Sequence, residues 1–316
     1  MSNKKKLVFL SVFALLSVVL YIFVDLGPNL DYALPRRGEK IVAIVLTGGV
    51  IAFSTMVFQT ITNNRILTPS IIGLDSLYML IQTFLVFVFG SMNITTMNKS
   101  FNFLLSVGLM VLFAGLLYKL LFKREGQNIY LLLLTGIIFG TFFGSVTDFM
   151  QVLIDPNEFM IVQDRMFASF NNINTDLLYI SIIITVLILM YFGRFYKYLD
   201  VLSLGKEQAI NLGVDYDYVV KRLLMVIAVL ISIATALVGP ITFLGLLVAN
   251  VAHQLFNTYK HQYLLMGSVL ISIIALAAGQ LLVERVFTFS TTISVIINFI
   301  GGIYFIYLLL KESKRW

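Results

Sequence analysis

Long apolar segments separated by short polar ones are the feature that most constrains how this chain can fold. A helix that crosses a lipid bilayer needs about 20 mostly apolar residues, with a range of roughly 17 to 25. A chain of 316 residues with 59% hydrophobic and 12% charged residues cannot bury that much apolar surface in one soluble core. The sequence therefore predicts an all-α polytopic membrane protein with about ten transmembrane helices. The predicted spans are 7–25, 40–61, 71–90, 101–122, 129–150, 176–193, 223–238, 242–256, 263–283 and 293–310.

Two neighbouring spans, 223–238 and 242–256, are short, and little more than Gly239 and Pro240 separates them. One continuous helix is the alternative interpretation. Proline interrupts a helix, however, and the combined length of about 34 residues exceeds the thickness of a bilayer. We therefore predict a tight external turn at about 239–241.

The distribution of Lys and Arg predicts the orientation of the spans, because cytoplasmic segments carry an excess of these residues. With the N-terminus in the cytoplasm, 16 of the 22 Lys and Arg residues fall in cytoplasmic segments and six in external ones. Ten spans then place both termini inside, whereas an odd number would place the basic C-terminal tail outside. The net charge of +6 is explained by this topology and by anionic lipid, and does not indicate nucleic-acid binding. The cytoplasmic set includes Lys123, Arg124, Lys314 and Arg315.

The stretch 201–222, VLSLGKEQAINLGVDYDYVVKR, is the longest charged interruption between the apolar segments, and the predicted topology places it in the cytoplasm. A merely solvated loop needs no apolar residues among its charges. This pattern indicates a short helical knob that docks on another protein, and Gly213 allows the turn that ends the knob. The apolar residues are Ala209, Ile210, Leu212 and Val214.

The sequence also excludes several kinds of chemistry. It has no cysteine, so disulfides, thiolate metal sites and cysteine nucleophiles are absent. It has no glycine-rich phosphate-binding loop ending in Gly-Lys-Ser/Thr, and its two histidines, His253 and His261, are not at the four-residue spacing of a metal pair on one helix face. We predict no catalytic site, no metal site and no cofactor in this chain.

Polar side chains inside apolar segments usually face the interior of a helix bundle or water. Here they are Gln59, Asp75, Gln82, Asp148, His253 and Gln280. Asp75 and Asp148 are the candidates for an ion relay, but no pair of acidic residues at helical spacing supports one. Glycines at helix-packing spacing predict close approaches of backbones. They are Gly136, Gly140 and Gly144 in one stripe, with Gly48 and Gly49 in another segment.

Three arginines, Arg36, Arg37 and Arg285, lie in predicted external segments, where the positive-inside rule makes them exceptions. One interpretation is contact with lipid headgroups through snorkelling side chains. The other is an outward basic surface that docks an acidic partner. Charge alone does not separate the two.

Four motifs in order resemble those of the FecCD family, the ten-helix permeases of ABC importers for iron-siderophores, haem and cobalamin. Gly239-Pro240-Ile241-Thr242-Phe243-Leu244-Gly245-Leu246 is close to a specific family signature. The others are Leu34-Pro35-Arg36-Arg37, Gln59 with Asn63 through Pro69 and Ile72-Gly73, and Ala209 through Val214 followed by Arg222. Together they cover residues 34 to about 302.

The resemblance implies roles for particular residues. The loop 201–222 would sit in a cleft of a separate ATPase subunit, which binds ATP and Mg. Its contacts would be Glu207, Ala209, Leu212, Gly213 and Val214. Arg36 and Arg37 match a position that docks an extracytoplasmic substrate-binding protein, whereas Arg285 is a near match only, since the family's Asp-x-x-x-Arg is here Gln280 and Glu284 with Arg285 one residue late. Residues of the translocation path or its structural frame would be Gln59, Asn63, Pro69, Gly239, Pro240 and Gly245.

The resemblance also implies the overall assignment. The chain would be a single transmembrane permease domain, 1–316, of the cobalamin-importer-like (type II ABC importer) fold, in the bacterial cytoplasmic membrane. Ala249-Asn250 and Thr292-Ile293-Ser294 replace the family's Pro-His and Pro-x-Gly, as in the second permease of two-permease systems, so a heterodimer with a related permease is preferred and a homodimer remains open. The expected cargo is a ferric siderophore. Haem, cobalamin, an ion-gradient-driven secondary transporter and a non-transport membrane scaffold are the alternatives.

Overall fold

The structure is a computed structural model, and it describes residues 2–25, 30–96, 99–121, 129–171 and 173–313. All regular secondary structure in these ranges is helical. Four basic residues that contribute to the cytoplasmic charge lie outside the described residues, namely Lys123, Arg124, Lys314 and Arg315.

Thirteen α-helices and two 3₁₀ turns occur in the described ranges. The turns are Pro69–Ile72 and Tyr196–Tyr198. The helices are α1 (Asn3–Phe23), α2 (Leu30–Thr62), α3 (Leu74–Thr96), α4 (Lys99–Leu121), α5 (Ile129–Leu153), α6 (Pro156–Met166), α7 (Thr175–Phe192), α8 (Leu199–Leu202), α9 (Lys206–Asn211), α10 (Tyr216–Val238), α11 (Leu244–Phe256), α12 (His261–Arg285) and α13 (Ile293–Ser313).

The ten predicted spans correspond to ten of these helices. Within the described residues, eight helices are long and apolar enough to cross a membrane. Two shorter apolar helices complete the set, namely Leu74–Gly90, which is the part of α3 before the kink at Gly90, and α11. The prediction of an all-α membrane protein is therefore confirmed. Helix α6 was not predicted, because its charged and amide residues break the apolar pattern that identifies a span.

The helical break predicted at Gly239 and Pro240 is present, which excludes one continuous helix. Helix α10 ends at Val238, and Gly239 takes a φ of +100°, a value that residues with a Cβ atom rarely adopt. A Cβ atom on Gly239 would also lie 3.0 Å from Cα of Ala168. Glycine is thus required here both by backbone angle and by space.

The chain forms two compact units. The first comprises 1–67, 169–175 and 241–316, and contains α1, α2, α11, α12 and α13. Helices α2 and α12 pack closely in it, because a Cβ atom on Gly48 would lie 2.7 Å from both Oγ of Ser272 and Cδ1 of Leu276. The close approach predicted at Gly48 is confirmed, whereas Gly49 makes only an ordinary contact.

The second unit comprises 68–168 and 176–240, and contains α3 to α10. Gly136 and Gly140 of α5 pack against the backbone of the 3₁₀ turn and of Gly73, and a Cβ atom on Gly136 would lie 2.7 Å from the carbonyl oxygen of Ile71. Gly144 has nothing within 4 Å of its Cβ direction. The glycines at 136 and 140 therefore let the 3₁₀ turn approach the backbone of α5, and the stripe does not mark a close contact with a second helix along its whole length. The assignment of 1–316 as one domain stays a prediction.

Candidate functional site

The predicted docking knob is a short helical unit. The 3₁₀ turn Tyr196–Tyr198 leads directly into α8, and Gly205, with a φ of +99°, lets the chain turn into α9. Leu199, Leu202 and Ala209 are buried, so the two helices rest on the second unit through apolar contacts. We call residues 196–214 the α8–α9 knob.

Helix α9 ends in a Schellman motif. The N–H of Val214 donates to the carbonyl of Ala209 at 3.0 Å, and the N–H of Gly213 donates to that of Ile210 at 2.9 Å. Gly213 has a φ of +80°, as this motif requires of the residue after the helix. Asp215 then begins α10 by accepting a hydrogen bond from the N–H of Tyr218 at 3.2 Å. The knob is thus joined to α10 without a flexible linker.

The structure divides the predicted contact residues of the knob into two groups. Ala209 and Val214 are buried and hold the knob in place, whereas Glu207, Leu212 and Gly213 face outward. Leu212 is 63% exposed, which is unusual for an apolar residue in a polar segment. The outward face also carries the exposed apolar residues Leu204, Ile210 and Tyr218.

Electrostatics around the knob are mild. Lys206 and Asp217 form a half-exposed ion pair at 3.9 Å, and the Lys206 ammonium lies 5.4 Å from the centre of the Tyr216 ring. Partial burial, and then the nearby Asp200 carboxylate, raise the pKa of Tyr196 above its ordinary value. The Tyr196 hydroxyl therefore remains neutral at physiological pH. The outward face combines exposed apolar residues with the exposed polar residues Glu207, Gln208 and Asn211.

A second group of predicted residues fixes the turn after α2. Buried Gln59 and Asn250 both donate from their side-chain amides to the carbonyl of Arg65, at 2.6 and 2.9 Å. Asn63 has a φ of +48°, a conformation that asparagine tolerates better than most residues. Asn250, at a position where the sequence departs from the family pattern, therefore helps to hold this turn. Pro69 is the first residue of the 3₁₀ turn in the second unit.

Gly245 lies where α11 packs tightly against α2. A Cβ atom on Gly245 would lie 2.1 Å from Oγ1 of Thr55 and 3.0 Å from Cβ of Thr55. A larger residue at this position would force the Thr55 side chain or one of the helices to move. The glycine of the family-like signature is thus a packing residue within the first unit.

The three predicted docking arginines have different environments. The Arg37 guanidinium donates to the carbonyls of Tyr21, Ile22, Val24 and Asp25, at 2.8 to 3.1 Å. Arg285 forms an ion pair with Asp25 and also donates to the carbonyls of Val24 and Asp25. Both therefore satisfy carbonyls at the C-terminal end of α1, which have no partners within the helix.

Arg36 is exposed, and its guanidinium stacks 4.8 Å from the centre of the Tyr32 ring. Arg285 is exposed as well, but Arg36 is the one of the three predicted docking arginines for which the described residues show no hydrogen bond to the carbonyls at the end of α1. The structure therefore separates Arg36 from the two arginines that close α1.

A buried polar network lies beside these arginines, and the sequence analysis missed it. The Glu284 carboxylate accepts hydrogen bonds from the Tyr21 hydroxyl at 2.7 Å, from Lys40 at 2.8 Å and from Gln280 at 3.0 Å. Oδ1 of Asn171 accepts from Lys40 at 3.1 Å and from Gln280 at 3.0 Å. Lys40 and Glu284 retain side-chain exposures of only 18% and 8%. The sequence signal that could have revealed this network is a pair of opposite charges at the edges of two predicted spans, Lys40 at the start of 40–61 and Glu284 just after 263–283.

Two other intramembrane polar residues, Asp75 and Gln82, are also hydrogen-bonded. Asp75 accepts from Thr235 at 3.3 Å and from Ser70. Arg165 of α6 donates to Oε1 of Gln82, which reaches Asn102 and Ser106 of α4 through its own amide nitrogen, at 3.1 and 2.9 Å. These contacts are structural.

His261 lies 2.8 Å from the Thr60 hydroxyl. In the described residues, no group of three or more histidine, aspartate and glutamate side chains could hold a metal ion.

A polar stripe runs along the exposed face of α5 toward its C-terminal end. Thr141, Ser145 and Asp148 are all exposed and recur at spacings of four and three residues, which places them on one face of the helix. A cavity of about 460 Å³ adjoins Asp148, at the junction of α5 and α6. Polar residues on the surface of an apolar helix indicate that this face meets water or a polar partner rather than lipid.

Comparisons with known proteins agree with these features. A model of the FecCD transport family matches residues 6–311. The chain is 65% identical over 316 residues to the petrobactin import system permease protein YclO of Bacillus subtilis (strain 168), with 100% of both chains covered. It is 40% identical over 288 residues to the petrobactin import system permease protein FatC of Bacillus anthracis, with 90% of this chain and 81% of the relative covered.

A solved ABC transporter of metal-chelate type, in an inward-facing conformation, has a TM-score of 0.84 and 20% identity to this chain, with 98% and 99% of the two chains covered. At this identity the likeness concerns the fold alone. It confirms the predicted ABC permease architecture.

Proposed function

The chain belongs to the FecCD transport family, and from this premise we propose that it is the membrane permease of an ABC importer that carries ferric siderophores. Two relatives, at 65% and 40% identity, are named as permeases of petrobactin import. Ferric petrobactin is therefore the cargo to test first. The chain is a transport subunit and not an enzyme, and in this proposal ATP and Mg are bound by separate ATPase subunits.

The α8–α9 knob is the observation that carries this proposal. Its helices are held by buried apolar residues and by a Schellman motif, so a force applied to the knob moves the N-terminal end of α10 with it. Its outward face presents Leu212 and Glu207, a combination suited to a cleft in another protein. We assign this face to contact with the ATPase.

The excess of Lys and Arg supports a cytoplasmic position for the knob and for both termini. The opposite ends of the spans then face the exterior, in the cytoplasmic membrane of a bacterium. Arg36 is exposed there and is the residue best placed to meet acidic groups of an extracytoplasmic binding protein. Exposed ion pairs contribute roughly 0 to 1 kcal/mol each, so this contact orients the docked protein more than it binds it.

The cargo path requires a polar surface, and the stripe on α5 supplies one. Thr141, Ser145 and Asp148 are exposed on this chain, so a second permease subunit facing them would enclose a polar path between the two. A related second permease is preferred over a second copy, and both arrangements give the same path. ATP binding would close the ATPase subunits, move the knobs and switch the path between its two openings.

The test is reconstitution of the full complex in liposomes, with this chain, its partner permease, the ATPase and the binding protein. We expect uptake of ferric petrobactin that requires hydrolysable ATP and persists when ion gradients are dissipated. Uptake that instead follows an ion gradient and ignores ATP would favour the secondary transporter. An intact complex that binds loaded binding protein but transports nothing would support the scaffold.

Substitutions at Gly213 test the knob within the same assay. Valine at a φ of +80° is strained by about 1–2 kcal/mol, whereas asparagine tolerates this region. No atom lies within 4 Å of the Cβ direction, so a clash does not complicate the comparison. We expect Gly213→Val to lose most of the ATPase stimulation by loaded binding protein and Gly213→Asn to retain it. Equal stimulation in both variants would argue against coupling through the knob.

A further inference from the structure

The cavity at the junction of α5 and α6 has an unusual lining for the surface of a membrane helix bundle. It is open on one side and offers about 460 Å³, which is enough for part of a small organic molecule. The residues that line it are Asp148, Gln151, Val152, Ile154, Pro156 and Phe159. All belong to the second unit, so the cavity is formed by one compact part of the chain.

The cavity offers one negative charge without a compensating cation. In the part of the chain that the structure describes, no lysine or arginine is in ion-pair contact with Asp148. Asp148 lies within the apolar helix α5, and its exposed carboxylate stands beside a mostly apolar wall. A positively charged group in the cavity would pair with it.

The cavity also offers a hydrogen-bond donor without an acceptor. Nε2 of Gln151 is buried and has no hydrogen-bond partner among the described residues, although Gln151 lines the cavity. A buried amide N–H without an acceptor costs about 1–3 kcal/mol, so a turn of the Gln151 side chain that brings Nε2 to a ligand oxygen would be stabilising. The remaining wall is apolar, with Val152, Ile154 and Phe159.

We propose that this cavity binds an organic ammonium group carried on an apolar body, with the Asp148 carboxylate accepting from the ammonium and the Gln151 amide donating to a neighbouring ligand oxygen. The polar stripe of Thr141 and Ser145 continues from Asp148 along α5 and leads away from the cavity. The identification of the ligand as the imported cargo rests on the proposed function, whereas the preference of the cavity for a cation does not depend on it.

The absence of cysteine makes a direct test possible, because a single introduced thiol is unique in this chain. Val152 lines the cavity and is 84% exposed, so Val152→Cys places a thiol at its rim. Met160 of α6 is 65% exposed and outside the lining, and Met160→Cys serves as the matched control. Each purified full-length variant is treated with a cationic and an anionic methanethiosulfonate reagent of similar size.

We expect the cationic reagent to modify Val152→Cys about 25-fold faster than the anionic one, relative to Met160→Cys, because two unit charges about 4 Å apart in water attract or repel by about 1 kcal/mol, which is roughly fivefold in each direction. Hexylammonium should slow this modification, whereas hexanol and hexanoate at the same concentration should not. Asp148→Asn should abolish both effects, and Asp164→Asn, which changes an exposed carboxylate outside the lining, should preserve them. Equal rates for the two reagents at Val152→Cys would overturn the proposed site.

Transport separates the site from its assignment to cargo. In the reconstituted complex, Asp148→Asn should raise the ferric petrobactin concentration for half-maximal uptake several-fold, and Asp164→Asn should not. Unchanged uptake in Asp148→Asn, with the cation preference intact, would show that the bound ammonium group is not cargo. A complex that transports no siderophore at all would overturn the proposed function, while the labelling result would still decide the site.

Discussion

At the scale of single residues, Gly245 is one of the crowded glycine positions of the first unit. We expect Gly245→Ala to destabilise the protein by about 1–3 kcal/mol, the usual cost of overpacking, because its Cβ atom would overlap Oγ1 of Thr55 at 2.1 Å. Thermal unfolding of the purified protein in detergent measures this. Gly302→Ala is the matched control, because nothing lies within 4 Å of that Cβ direction.

Thr55→Ala should rescue Gly245→Ala in part, since it removes Oγ1 but leaves the two Cβ atoms 3.0 Å apart. A double variant as unstable as Gly245→Ala alone would show that the overlap with Oγ1 is not the cause.

Arg36 and Arg37 are adjacent in sequence but should respond oppositely to substitution. Arg36→Ala should weaken binding of the substrate-binding protein by up to about fivefold and leave the melting temperature unchanged, because the side chain is exposed. Arg37→Ala should lower the melting temperature, because the carbonyls of Tyr21 and Ile22 lose the Arg37 donor and those of Val24 and Asp25 keep only Arg285. Binding to protein in nanodiscs and thermal unfolding measure the two effects. A loss of stability in Arg36→Ala would contradict this division.

The sequence predicted residue types better than residue roles. Glycine at 213, 239 and 245 was singled out correctly, because left-handed backbone angles and close helix contacts both demand it. The arginines were grouped by charge and position alone, and sequence does not reveal which guanidinium meets a helix end. That distinction depends on where α1 ends relative to α2 and α12, which is a tertiary property.

At the scale of elements, the polar network at the end of α1, α2 and α12 joins three helices of the first unit through one ion pair. We expect Lys40→Met to destabilise the protein by about 3–5 kcal/mol, because Glu284 would remain a buried charge without its cation. Glu284→Gln added to Lys40→Met removes that charge and should restore much of the stability, as measured by thermal unfolding.

A matched control for this pair is Lys206→Met, since Lys206 forms a half-exposed pair at 3.9 Å with Asp217 and should change stability by less than about 1 kcal/mol. The stability lost by the double variant Lys40→Met/Glu284→Gln is compared with the losses of Lys40→Met and Glu284→Gln measured singly. If it equalled their sum, the two residues would act independently and the proposed coupling would be wrong.

The membrane-spanning helices could be predicted from the length of the apolar segments, and helix α6 shows the limit of that signal. Its sequence PNEFMIVQDRM is polar enough to resemble a connecting loop, yet Asp155 caps it by accepting from the N–H of Asn157 at 2.9 Å. Its one buried side chain is Val162, and Arg165 donates to Gln82 of α3. Such a helix is held by tertiary contacts that a pattern of spans does not encode.

At the scale of the whole molecule, the orientation in the membrane is the premise on which the partner assignments depend. The sidedness of the spans follows only from the distribution of Lys and Arg. We expect the α8–α9 knob and the residues after α12 to lie on opposite sides of the membrane. The absence of native cysteine allows this to be measured in intact cells.

Leu212→Cys and Phe287→Cys are suitable probes, because the side chains are 63% and 42% exposed and lie in the knob and in the segment after α12. A membrane-impermeant maleimide should label Phe287→Cys in intact cells and label Leu212→Cys only after the cells are broken. The wild-type chain, without cysteine, should give no signal in either case. The reverse pattern would place the knob outside, where no ATPase could reach it, and the coupling role would then have to be abandoned together with the predicted topology.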